Sequence, residues 1–100
     1  MKQRTSIAIR VRVGGADGPV VIAFGREAWA LLILIEASSI GCLPEEHPAP
    51  RWSAYVYDLR KLGFSIDTLL EPHGGPFPGR HARYVLRSRV TVLEKLGAAA

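Results

Sequence analysis

Residues 6–13 alternate, with Ile7, Ile9, Val11 and Val13 on one side and Ala8, Arg10 and Arg12 on the other. That is the period of a strand with one buried face. The run Gly14-Gly15-Ala16-Asp17-Gly18-Pro19 is a dense turn signal, and residues 20–24 are again β-rich. Residues 5–24 are therefore expected to form a hairpin, with pairing to a later strand as the alternative. Gly25 is placed to cap a helix over 26–38, where Ala28, Leu31, Leu32 and Ile35 recur at helical spacing. Trp29, Ile33 and Leu34 widen the stripe until the helix is apolar on most sides, which puts it at the centre of a core. A buried strand over 31–35 competes for so short an apolar run. The surrounding Ala, Leu and Glu favour helix.

Residues 39–50 are irregular and contain Gly41, Pro44, Pro48 and Pro50. They leave room for a one-turn helix around residues 44–47, with Pro44 at its first position. Periodicity returns over 51–62. Trp52, Tyr55, Val56, Leu59 and Leu62 share one face, while Ser53, Tyr57, Arg60 and Lys61 lie on or beside the opposite one. Gly63 supplies a left-handed stop. Residues 65–71 return to β character, 72–82 read as a loop tip, and 83–93 read as one long last strand. That strand alternates Tyr84, Leu86, Val90 and Val92 with Arg83, Arg87 and Arg89, although Val85 breaks the pattern. Residues 97–100 read as a frayed tail.

Composition narrows the class. One hundred residues make one domain, 1–100, with 5–24 as an N-terminal hairpin and 25–93 as helical core and basic hairpin. The formal charge is +4 and the pI about 9.7, which suits an acidic partner such as nucleic acid. Cys42 is the sole cysteine, so there is no internal disulfide framework, as fits a reducing cytosol. The N-terminus lacks a continuous apolar run of signal-peptide length. Residues 28–35 fall short of the roughly 20 that span a bilayer. The expectation is a cytoplasmic protein without membrane contact.

Candidate chemistry sits in two places. On helix 51–62, Ser53, Tyr57, Arg60 and Lys61 can reach the base-edge and phosphate acceptors of a major groove. A solvated surface explains the same charges, since cations near a helix C-terminus complement its dipole. On the hairpin, Arg80, Arg83, Arg87 and Arg89 join His73 and His81 around a tip shaped by Gly74, Gly75, Pro76, Pro78 and Gly79. One or two charges suffice to guard an edge strand, so this many favours an acidic partner, nucleic acid or protein. Cys42, His47, His73 and His81 match no zinc spacing. No nucleophile elbow, Walker loop or dinucleotide fingerprint is present, so neither an enzyme nor a cofactor is expected. Trp29, Trp52, Tyr55 and Tyr84 all fall on faces assigned to the core rather than to base stacking.

The run 52–68, WSAYVYDLRKLGFSIDT, resembles the recognition helix and first wing strand of small winged-helix proteins of phages, prophages and bacterial genomes. The matching residues are Leu59-Arg60-Lys61-Leu62-Gly63 and Ile66-Asp67-Thr68, and GRHARYVLRS at 79–88 looks like the return strand. The resemblance implies an α+β winged helix-turn-helix, here with an added N-terminal β-hairpin, and double-stranded DNA as partner. Carried onto this chain, helix 51–62 enters the major groove with Arg51, Ser53, Tyr57, Arg60 and Lys61 as contacts. Arg80, His81 and Arg83 neutralise phosphates. The expected role is a phage or prophage-type transcription regulator. A homodimer is expected because such proteins gain site length by dimerising. The alternative is a protein-interaction module, such as a phage-encoded inhibitor or adaptor, with the added hairpin holding the partner.

Overall fold

The computed structural model describes residues 7–44, 51–73 and 79–96. The N-terminal alternation becomes β1 (Ala8–Val13), which turns back through residues 14–19 into β2 (Val20–Phe24). The turn closes with Val13 N–H donating to the Pro19 carbonyl at 2.9 Å and Gly18 N–H to that of Gly15 at 2.9 Å. Next come α1 (Gly25–Ala37), a 3₁₀ turn (Ser38–Ile40), α2 (Trp52–Lys61), β3 (Ile66–His73), β4 (Gly79–Leu86) and β5 (Val90–Leu96). β1 is the middle of an antiparallel sheet ordered β2-β1-β5, and β3 pairs with β4 alone. Over residues 8–24 both expectations for this segment hold together. The hairpin forms, and β1 also takes a later strand, with Val11 opposite Val92 and Val13 opposite Val90.

The inner face of that sheet sets Ile9, Val11 and Ala23 against α1, which buries Ala28, Ala30, Leu31 and Leu34. α2 closes the other side with Trp52, Tyr55, Val56 and Leu59. Trp52 lies 5.4 Å from Trp29 and stacks on Tyr84 at 6.2 Å with an 18° tilt. Three of the four aromatics assigned to the core are buried, and Trp29 packs half-buried against them.

Two tight backbone features position α2 and the β3–β4 hairpin. After the 3₁₀ turn, Gly41 adopts φ +86°, and a Cβ there would lie 2.7 Å from Val85 Cγ2 and 3.0 Å from the Tyr84 carbonyl. This approach lets Cys42 exchange two backbone hydrogen bonds with Tyr84, at 2.8 and 2.9 Å. At the end of α2, Gly63 takes φ +110° and its N–H donates to Arg60 O, while Phe64 N–H donates to Leu59 O. Phe64 is buried by that turn, so the helix stops rigidly against the first residues of the hairpin.

The last strand differs from the sequence expectation. Residues 83–93 form no single strand: β4 ends at Leu86 and β5 starts at Val90. Adjacent Tyr84 and Val85 are both buried, because the root of β4 is covered on both faces, and alternation fails there. Between the strands, the Ser88 hydroxyl accepts from Ser65 N–H and the Arg89 carbonyl accepts from Gly14 N–H. The chain thereby crosses from the hairpin to the sheet. β3 and β4 are also longer than composition suggests, running to His73 and restarting at Gly79. The bond from Arg87 N–H to Ser65 O fixes the pairing phase. Residues 66, 68, 70 and 72 then turn their backbone groups to the free edge, where a proline at 72 costs no ladder bond. The one-turn helix expected around residues 44–47, and Phe77, fall wholly or partly outside the described residues.

Candidate nucleic-acid interface

α2 is amphipathic, so its core face fixes what it shows outward. Burial of Trp52, Tyr55, Val56 and Leu59 leaves Ser53, Tyr57, Arg60 and Lys61 exposed, with Arg51 exposed at the helix start. Tyr57 is 62% exposed, and Lys61 Nζ sits 5.1 Å from its ring centroid. This cation–π contact holds both side chains on the outer face. Arg60 leans the other way, towards the hairpin. Its Nε and Nη2 donate to the Ile66 carbonyl at 3.1 and 2.6 Å, and Nη2 also donates to Thr68 Oγ1 at 2.9 Å.

The hairpin divides its charges between two faces. Directly opposed residues share a face, so Thr68 with Tyr84, Leu70 with Ala82 and Pro72 with Arg80 make one. That is the face on which Thr68 meets Arg60, so Arg80 stands on the α2 side. Leu69 with Arg83 and Glu71 with His81 make the other. There Arg83 Nε donates to Glu71 Oε2 at 2.8 Å, and His81 Nε2 lies 3.2 Å from Oε1. Arg83 Nη1 also donates to the Ile40 carbonyl at 3.1 Å, and Arg87 Nε donates to Asp67 Oδ2 at 2.8 Å. The hydrogen bond from Arg83, with a further one from His81, holds the Glu71 carboxyl below its ordinary pKa against the opposing effect of desolvation.

Ser53, Tyr57 and Lys61 thus lie along one exposed strip of α2, Arg51 is exposed at the helix start beside Ala54 and Asp58, and Arg60 links the helix to the hairpin that carries Arg80. His81 and Arg83 lie on the reverse hairpin face, engaged with Glu71. Arg26 is a cation that sequence reasoning did not assign to the surface. It borders a depression of about 340 Å³ shared with Glu27, Arg51, Ala54, Tyr55 and Asp58. Nothing in the local sequence marks it, because the packing of α1 against α2 is a tertiary fact. Among the described residues no three His, Cys, Asp or Glu side chains gather as a metal site, and no helix is long and apolar enough to cross a membrane.

Comparison with known proteins agrees with this geometry. A family model described as a winged helix domain matches residues 20–96. No curated protein and no solved structure matches the chain. The chain belongs to the winged helix domain family, and its β3–β4 hairpin is wing-like. Domains of this kind are in general DNA-binding regulatory modules and typically not enzymes.

Proposed function

We propose that this winged-helix chain is a cytoplasmic, duplex-DNA-binding transcription regulator of phage or prophage type. α2 enters the major groove and the wing rests on the adjoining backbone. The observation that supports this most is that Arg80 shares the hairpin face on which Thr68 meets Arg60 of α2, while Ser53, Tyr57 and Lys61 stay exposed on that helix. Tyr57, Ser53 and Lys61 reach base edges or phosphates, Arg51 meets a phosphate at the helix start, and Arg80 meets one beside the wing. His81 and Arg83 add positive potential from the reverse face, partly offset by Glu71. A gel-shift comparison tests the assignment: Lys61→Ala and Arg80→Ala should each weaken duplex binding across sequences and each lower the salt slope by about one. Wild-type affinity in both variants would refute it.

A second reading, docking of a protein partner, is favoured by the free edge of β2. The bonds Gly25 N–H to Ile7 O and Val13 N–H to Pro19 O set the ladder phase, so Val20 and Ile22 turn their backbone groups outward. Val20, Ile22 and Phe24 are 43, 45 and 64% exposed, and β2 carries no charge, proline or bulge to block pairing. The opposite edge, β5, has Glu94, Lys95 and a register shift. A second copy pairing antiparallel about Ile22 would set Val20 of each chain against Phe24 of the other. It would thereby double the DNA site. Alternatively, an adaptor or inhibitor function would use the same edge for a foreign strand.

A further inference from the structure

We propose that Arg60 is a positioning residue that sets the angle between α2 and the wing and acts on bound DNA through Arg80 rather than by its own contact. The inference rests on the DNA-binding reading for its effect on affinity, and on geometry alone for the strut itself. β3 begins five residues after α2 ends at Lys61, and Arg60 of the helix reaches its free, outer edge. The pairing phase leaves the Ile66 carbonyl on that edge without a strand partner. Arg60 supplies the missing donors twice over, at 3.1 and 2.6 Å, and its Nη2 goes on to Thr68 Oγ1 at 2.9 Å. The planar fork therefore spans two successive outward positions of one strand. Only a guanidinium offers that many donors in fixed relation. A lysine could meet one acceptor as a point charge.

The consequence concerns a lever. The wing is a two-stranded hairpin whose far end, at Arg80, is distant from the core. Its root is held by the Gly63–Phe64 turn on one side and the Cys42–Tyr84 bonds on the other. Neither restrains the outer edge of β3. Arg60 does, at the positions nearest the helix face that carries Tyr57 and Lys61. Two of its nitrogens are thereby committed to the protein before any ligand arrives.

The test has a DNA-free arm and a DNA arm. Residual dipolar couplings of the full chain should fit one alignment tensor for α2 and wing amides in wild type. In Arg60→Gln the wing amides should need a separate tensor or show reduced couplings, whereas Lys61→Gln should leave the single fit intact. Arg60→Lys should rescue the fit in part, and Thr68→Val should loosen it in the same direction by less. In the DNA arm, Arg60→Gln should weaken duplex binding about ten-fold, which is 1.4 kcal/mol, in the wild-type background. In Arg80→Ala it should have almost no further effect, because the phosphate contact that the lever positions is then already gone. An unchanged tensor in Arg60→Gln overturns the strut, and an equal loss in both backgrounds makes Arg60 a direct contact instead. A wild type that binds no duplex at low salt overturns the DNA-binding reading, and the couplings still decide whether Arg60 fixes the wing.

Discussion

At the scale of single residues, burial and charge pairing separate scaffold from surface. Leu59 is fully buried on α2, so Leu59→Ala should cost about 3 kcal/mol through lost transfer energy and a residual cavity. Chemical denaturation checks this as a lower midpoint at unchanged slope. Glu71 titrates below its ordinary value because Arg83, then His81, bonds its carboxylate. A depressed carboxyl adds stability that is complete above the unfolded value, near 4.5, and is lost as pH falls through the folded one. Carbon-detected titration of Glu71 should show the lowered midpoint, and Arg83→Gln should move it back up. The surface of α2 was readable from its spacing alone, since burying Trp52, Tyr55, Val56 and Leu59 dictates what faces outward. The engagement of His81 and Arg83 with Glu71 was not readable. It depends on a register that brings residue 71 opposite 81, and residues so far apart in sequence leave no periodic signature.

At the scale of elements, the account turns on how α2 and the wing are joined to the rest. Gly41 combines a positive φ with a site where a Cβ would lie 2.7 Å from Val85 Cγ2, 2.9 Å from Arg83 Cγ and 3.0 Å from the Tyr84 carbonyl. Gly41→Ala should therefore destabilise the protein by about 2 kcal/mol or more and release the Cys42–Tyr84 bonds. Amide exchange at Cys42 and Tyr84 would report it, and unchanged protection would contradict it. Hydrophobic periodicity captured both helices to within a residue at each end, and the N-terminal hairpin over 8–24, because their patterns are unbroken. It missed the break at residues 87–89, because a strand that leaves one sheet for another keeps its β-forming residues throughout. It also read residues 72–82 as loop, since Pro72 and the glycines mask a ladder whose free edge tolerates them.

At the scale of the whole molecule, the helix surface, the wing and the three-stranded sheet form a flat body, 44 × 42 × 20 Å. The route proposed to a larger assembly is the uncharged edge of β2. Ile22→Lys places a charge at the centre of that edge, so sedimentation at rising concentration should show self-association in wild type and none in the variant. Membership of the winged helix family fixes the scaffold, and the duplex-facing side proposed for it comprises Tyr57, Lys61 and Arg80. The most direct check of that side is the equilibrium affinity of the wild-type chain for duplex DNA across a salt series. A handful of phosphate contacts predicts a linear fall of log K with log salt at a slope of about −3 to −5. Flat salt dependence, or no association at the lowest salt, would contradict it.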